Sequence, residues 1–257
     1  MVIVLILSVI LIVFLLYLIF THYNTKSRLL KAFKRCNVLV YGPKGYGKDV
    51  LFQYIIKVRK KPYLSNLNYG YNFNEINVSD LEITPNNYHN FINNDITIVD
   101  KKDFENKDVY LSDLGIILPS QYDSKLHNIY PSFSVVYALS RHLYNNNIHG
   151  NTQALERPWK AIREQADYYI KLHKKCIKLF GYIICRVITY DKYQSAKDSL
   201  LPMKKKLFNK ENNALVEQYN ATHGEIKTGF IFVPKKIIKY DSRAYHEKIF
   251  GYKAPTK

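Results

Sequence analysis

Cysteine is scarce in this 257-residue chain: only Cys36, Cys176 and Cys185 occur. An odd, scattered set of three excludes a disulfide framework and a cysteine zinc site, and suits a reducing compartment. Acidic residues are also few, 21 against 38 Lys and Arg, which leaves a net charge of +17 and a pI near 9.5. Such a deficit points to a polyanionic neighbour, nucleic acid or an anionic membrane face, or else to a solvated basic surface. No compact repeat is visible. The length suffices for one sizeable domain with a full hydrophobic core. Residues 2–20 contain no charge at all and are almost wholly Val, Ile, Leu and Phe, interrupted by Ser8 and Tyr17. At about 1.5 Å per residue they match a hydrocarbon core of about 30 Å. No basic region precedes this run, and no small-x-small site follows it, so it reads as an uncleaved anchor and not a signal peptide. Lys26, Arg28, Lys31, Lys34 and Arg35 come next. By the positive-inside rule they place the body in the cytoplasm, and they can touch anionic headgroups.

Glycine numbers only ten, but Gly42, Gly45 and Gly47 fall within one stretch, Gly42-Pro43-Lys44-Gly45-Tyr46-Gly47-Lys48-Asp49. The apolar run 37–41 before it reads as a buried strand, and the segment from Val50 onward reads as a helix over about 48–59. Strand, G-x-x-x-x-G-K loop and helix make a phosphate-binding P-loop. The glycines let successive N–H groups face an anion, the helix N-terminus adds partial positive charge, and Lys48 reaches the β- and γ-phosphates. Residues 42–50, Val50 included, are therefore the candidate nucleotide-binding segment. Asp49 stands where a Ser or Thr hydroxyl normally ligates Mg²⁺; a carboxylate is also a hard oxygen donor, at the cost of negative charge beside the phosphates.

The remaining body alternates short apolar runs with helical patterns, the signature of an α/β sheet. Residues 63–67 suggest a second strand. The Asn-rich stretch 68–94 suggests a loop excursion with a short helix near 87–93. Two strand ends offer a Walker B acid, Asp100 after Ile96-Thr97-Ile98-Val99 and Asp113 after Val109-Tyr110-Leu111-Ser112; Asp113 is the better placed. A helix is expected over about 131–144, ending in Arg141-His142. A strand from Ile148 then leads to Thr152-Gln153, where Gln153 is either a sensor of the γ-phosphate or an ordinary polar residue opening a helix. That helix, 154–165, is expected to carry Arg157, Lys160 and Arg163, with Pro158 in its first turn. Strands are expected at 166–172 and 181–190, and a late one at 230–233. The polar stretch 191–224, with Lys204-Lys205-Lys206, reads as a nucleic-acid contact or a solvated loop. The 23 tyrosines can stack on bases or simply fill strands.

The succession of P-loop, Asp113 strand end, Arg141-His142, Thr152-Gln153, Ile162-Arg163 and Tyr240-Asp241-Ser242 resembles the zonula occludens toxin-like family. That family contains the assembly ATPases of filamentous phages and falls within the FtsK/HerA-type P-loop ATPases. The resemblance covers roughly 37–250. It implies a RecA/FtsK-HerA-like P-loop NTPase, a mainly parallel sheet flanked by helices, here preceded by one transmembrane helix. The domain order is then an anchor over 1–22, a basic juxtamembrane segment over 23–36, the ATPase domain over 37–250 and a tail over 251–257. It further implies an oligomeric, ring-shaped motor at the host inner membrane, single-pass with a cytoplasmic ATPase domain. That motor uses ATP and Mg²⁺ to export or package viral, single-stranded DNA with other virion-assembly proteins.

By this resemblance Lys48 holds phosphate, Asp113 organises Mg²⁺, Gln153 is the sensor, and Arg141 or Arg163 reaches a neighbouring subunit's nucleotide; Asp49 joins Asp113 as a candidate metal ligand through its own carboxylate chemistry. The chain departs from the family pattern at Asp49, at Leu114 in place of a water-activating glutamate, and in carrying its anchor before the ATPase domain. Glu156, Asp123 and Asp100 are possible substitutes for the missing glutamate. The first two departures leave a non-hydrolysing nucleotide-binding scaffold of virion assembly as an alternative, and the basic excess leaves a membrane-tethered DNA-binding protein that uses the P-loop only to grip a backbone phosphate.

Overall fold

The structure, a computed structural model, describes residues 2–71, 73–75, 105–118, 129–204 and 209–239. The first apolar run does not stop at the expected juxtamembrane segment. It continues as one helix, α1 (Val2–Arg35). Residues 4–20 lie outside the body, whereas Leu29 and Phe33 are fully buried in it. The chain then enters β1 (Val38–Tyr41), passes the glycine loop into α2 (Lys48–Arg59), and returns through β2 (Tyr63–Ser65) and β3 (Phe73–Glu75). After β4 (Asp108–Leu111) come the single turn α3 (Leu114–Ile117), α4 (Ile129–Tyr144) and β5 (Ile148–Thr152). The remaining described elements are α5 (Lys160–Gln165), β6 (Tyr168–Leu172), β7 (Ile177–Leu179), β8 (Tyr182–Tyr190), α6 (Tyr193–Lys197), α7 (Lys210–His223) and β9 (Ile226–Pro234).

All nine described strands form one sheet in the order β3-β2-β4-β5-β1-β6-β8, with β7 and β9 both pairing with β8. From β3 to β6 every pair is parallel; the pairs that β8 makes are antiparallel. Strand β5 lies between the P-loop strand β1 and the strand that leads to Asp113. This is a mainly parallel α/β sheet of the P-loop NTPase kind, covered by helices on both faces. Strand β1 shows why: buried on both sides, its residues alternate between two cores. Val38 and Val40 pack with α1 and α2, while Leu39 and Tyr41 join the core that includes Phe133, Tyr137 and Ile162.

Two expectations require correction, and one strand is additional to them. The helix expected over 154–165 begins only at Lys160, because Pro158 disfavours the α conformation at Arg157; residues 154–159 form turns, and Trp159 N donates to Leu118 O (2.9 Å). The polar stretch 191–224 contains two helices. One is α7, which Asn209 caps by accepting from Asn212 N (3.0 Å) and in which only Val216 is buried. So sparse an apolar face gives little periodic signal. The hairpin strand β7, all of it exposed, was not anticipated. The expected helix at 87–93, the strand ending at Asp100, Asp123, Lys205, Lys206 and Tyr240-Asp241-Ser242 lie outside the described residues.

One buried group sets a pH dependence. His149 on β5 is wholly enclosed between Phe33 and Tyr110, with ring centroids 4.7 and 4.9 Å away. Burial, and then the charges of Arg59 and Lys61, which pair with Asp108, hold its pKa well below the ordinary value. The folded protein therefore binds this proton less readily than the unfolded chain, whose histidine titrates near 6.5. Stability is full above about pH 6.5 and falls as pH drops below it, by about 1.4 kcal/mol per unit. Urea midpoints measured from pH 7.5 to 5 are expected to fall in the wild type and to lose that component of the slope in His149→Leu.

Candidate nucleotide site

The site assembles where the parallel strands end. The loop between β1 and α2 takes left-handed backbone conformations at Gly45 and Gly47 (φ 81° and 88°), which Cβ-bearing residues adopt only at a cost. Gly47 also permits close approach. A Cβ there would lie 2.6 Å from Cys176 Sγ and 3.4 Å from Cys185 Sγ, the two thiols that floor the loop. Tyr46 N donates to Pro43 O (3.3 Å), Leu51 N to Gly47 O (3.0 Å), and Gly42 N to Thr152 O at the end of β5 (3.3 Å). The loop is thereby tied to the neighbouring strand and to its own helix.

Lys48 opens α2 and folds back over the loop. Its Nζ donates to Gly42 O (2.9 Å) and Pro43 O (3.3 Å). Burial lowers its pKa, while Asp49 and Asp113 pull the other way. No carboxylate forms an ion pair with this ammonium among the described residues. It is a buried cation held by neutral carbonyls, a weaker partnership than it would have with phosphate.

Asp49 faces the strand ends. Its Oδ1 accepts from Ser112 Oγ (2.7 Å), Asn151 Nδ2 (2.8 Å) and Tyr69 OH (3.1 Å). Asn151 also takes the backbone N–H of Asp113 on its Oδ1 (3.0 Å). Asn66 clamps Ser112 from both sides: its Oδ1 accepts from Ser112 N (2.8 Å) and its Nδ2 donates to Ser112 O (3.0 Å). Asp113 itself has a left-handed backbone (φ 54°). Burial raises its pKa first and the Asp49 carboxylate raises it further, against the opposing charges of Lys48, Lys44 and Arg157. Among the described residues no donor reaches Asp49 Oδ2 or the Asp113 carboxylate. Two carboxylates and a hydroxyl at the foot of a phosphate loop are the hard oxygen donors that Mg²⁺ takes, one or two from protein and the rest from phosphate and water.

Gln153 follows β5 beside the loop, and its Oε1 accepts from Arg157 Nη1 (2.8 Å). Arg157 is therefore the arginine that accompanies Lys48, Asp113 and Gln153. Arg163 lies one turn into α5 and donates to Glu156 O (2.5 Å). Arg141 is at the other edge of the sheet. It holds Arg35 O (2.7 Å) and Asp167 (3.2 Å), at the N-terminal ends of β1 and β6, away from the P-loop of its own chain. The loop residues, Lys48, Asp49, Asp113 and Gln153 are thus brought together, and Arg141 is not. Leu114 is 0% exposed and covers Gly150, where a Cβ would come within 1.9 Å of its Cδ1. The residues that sequence reading passed over are Ser112, Asn151, Tyr69 and Arg157.

Solved structures that resemble this chain include the following three. The N-terminal domain of zonular occludens toxin from Neisseria meningitidis is 11% identical with a TM-score of 0.45, over 79% of this chain and 97% of that one. The genome packaging NTPase B204 from Sulfolobus turreted icosahedral virus 2, in complex with sulfate, is 13% identical with a TM-score of 0.42, over 76% and 96%. Its complex with AMP gives 14% and 0.40 over 63% and 94%. No family model and no curated protein matches the chain.

Proposed function

We propose that this chain is a membrane-anchored P-loop ATPase that couples ATP binding and hydrolysis to the export or packaging of viral DNA. The observation that carries the reading is the juxtaposition of a buried Lys48, paired among the described residues with loop carbonyls alone, and the carboxylates of Asp49 and Asp113. On nucleotide binding the loop N–H groups take the β-phosphate, and Lys48 leaves the Gly42 and Pro43 carbonyls for the phosphate oxygens. Mg²⁺, when bound, neutralises charge on the β- and γ-oxygens. Gln153 and Arg157 sit where a γ-phosphate is sensed. In an oligomer Arg163 or Arg141 serves a neighbouring subunit's nucleotide. The +17 charge supplies the attraction for DNA, in single-stranded form by the resemblance given above.

Membrane attachment rests on α1, which is long and apolar enough to cross a bilayer, with a mean hydropathy of 3.1 and none of that stretch buried. Its direction is set by contacts with β9. His22 meets Phe232, whose N–H donates to His22 Nδ1 (3.2 Å), and Thr25 lies against Gly229. The apolar half therefore leaves the body at the edge where β9 ends and β8 begins, which is also the P-loop edge. The β7–β8 turn at that edge exposes Ile177, Leu179, Phe180 (90%) and Tyr182. Lys174, Lys175, Lys178, Lys235 and Lys236 flank it, and no acidic residue occurs over 173–190 or 226–239. Aromatic tips with lysines suit the headgroup layer, so this reading has the nucleotide site face the membrane.

The test is ATP hydrolysis by the full chain in detergent, with and without single-stranded DNA, beside Lys48→Ala. DNA-stimulated turnover is expected, with a loss of at least about 100-fold in the variant. Tight ATP binding without turnover supports instead a nucleotide-binding scaffold, the reading that Asp49 in place of a hydroxyl favours. DNA binding with no nucleotide binding supports a membrane-tethered DNA-binding protein.

A further inference from the structure

P-loop sites ordinarily hold their metal between a Ser or Thr hydroxyl just after the lysine and an Asp at the end of a nearby strand. In this chain Asp49 follows the lysine, and the residue that reaches it from the end of β4 is Ser112, at 2.7 Å. Carboxylate and hydroxyl are both present and bonded to each other, with their positions exchanged. We infer that this exchange is functional: Asp49 supplies the metal-facing carboxylate and Ser112 the hydroxyl. Asp113, one residue further on, is then the acid that orients the attacking water. This rests on the nucleotide site proposed above and assigns roles within it.

Three observations carry the assignment. First, Ser112 is held firmly in its place. Asn66 clamps its backbone in both directions, and Asn151 donates to Ser112 Oγ (3.1 Å) while also bonding to Asp49 and to the Asp113 N–H. The parallel pairing of β4 with β5 (Leu111 opposite Gly150) and of β1 with β5 (Val40 opposite Asn151) puts these groups at one level. Second, Asp49 Oδ1 accepts from three donors, while among the described residues no donor reaches Oδ2, which leaves that oxygen to face the metal. Third, the alternative assignment leaves the end of β4 without an acid to face the water. If Asp113 held the metal, the usual water-facing place would fall to the next residue, and Leu114 is instead sealed into the core over Gly150. The left-handed backbone of Asp113 turns the chain off the strand axis between the two. In the hydrolytic step the water oxygen bonds to the γ-phosphorus and the bond to the β-phosphate oxygen breaks. Asp113 accepts the hydrogen bond from that water, and its proton leaves with the released phosphate.

The experiment is a cycle of Asp49→Thr, Ser112→Asp and the double variant, with Asp113→Asn alongside, all in the full chain in detergent. Three quantities are read: the thermal midpoint without nucleotide or metal, the affinity for a fluorescent ATP analogue with Mg²⁺ and with EDTA, and turnover. Asp49→Thr, which leaves two hydroxyls, is expected to lose the Mg²⁺ enhancement of affinity by about 10-fold or more. Ser112→Asp, which opposes two carboxylates, is expected to lower the metal-free midpoint. The double variant restores the usual arrangement and is expected to regain both the midpoint and an enhancement within about 3-fold of wild type. Such recovery is the non-additivity of directly interacting groups. Asp113→Asn is expected to keep the Mg²⁺ enhancement and lose turnover by about 10²–10⁴-fold. A double variant no better than the poorer single one overturns the exchange. So does an Asp113→Asn protein that loses the Mg²⁺ enhancement as Asp49→Thr does. A wild type that binds no nucleotide overturns the functional reading itself, whereas a wild type that binds it normally beside an unrestored double variant overturns only the exchange.

Discussion

Leu114→Glu is expected to unfold this protein, not to accelerate it. By the usual pattern of P-loop ATPases the substitution looks like the repair of a missing catalytic glutamate. The tertiary structure places the side chain elsewhere. Leu114 is fully buried, covers Gly150, and packs in the core that contains Leu39, Phe133 and Ile148. Deleting such a side chain costs about 2–5 kcal/mol, and an unpaired carboxylate in its place adds a desolvation penalty. The sum, about 4 kcal/mol or more, is a large part of the about 5–15 kcal/mol that holds a domain together. Thermal and urea unfolding of the purified chain should show a collapse in stability or no soluble protein. Leu114→Met, which conserves volume, should cost less than about 1.5 kcal/mol. A folded Leu114→Glu protein with faster ATP turnover would sink the placement of this residue in the core, and with it the role given to Asp113.

Gly47→Ala is expected to damage both stability and nucleotide binding, through two separable causes. The residue caps the start of α2 at φ 88°, where any L side chain costs about 1–2 kcal/mol. Its Cβ would also meet Cys176 Sγ at 2.6 Å, so either the loop or the β6–β7 connection must shift. A displaced loop no longer aims its N–H groups at one phosphate, and each bond lost to a charged group is worth about 1.5–3 kcal/mol. The affinity for ATP should fall about 10- to 150-fold for a single donor lost. Adding Cys176→Ala removes the collision but leaves the backbone cost. The pair of substitutions should therefore recover part of the thermal midpoint and part of the affinity. Equal losses with and without Cys176 would show that the thiol does not constrain the loop.

Much of the architecture was legible along the chain. The periodicity and the glycine spacing located β1, the loop and α2 with the observed bounds of the helix, and the strand from Ile148 to Thr152 emerged as read. Where the reading failed, the signal was physically absent. Helix α7 buries only Val216, so its apolar pattern is nearly blank. The exposed strand β7 owes its conformation to pairing with β8. The helix start at Lys160 was decided by Pro158, whose restraint acts on the residue before it. Within the site, Ser112 stood in plain view beside Asp113, but nothing local distinguishes a serine that touches the P-loop from one that ends a strand.

What the sequence determined by itself is therefore what is local. A loop of glycines between an apolar strand and a helix needs only its own backbone geometry, and a long uncharged run needs only its length. Which groups converge on that loop was decided by the sheet. Ser112 lies 63 residues from Asp49 and Asn151 lies 102 residues away, and both reach it because β4, β5 and β1 are adjacent and in a particular register. The same register turns Leu114 inward and leaves Asp113 facing the site. Pairing over such distances depends on burial and hydrogen bonding summed across the whole sheet, so the roles of Asp49, Ser112 and Asp113 emerge only when the strands are placed side by side.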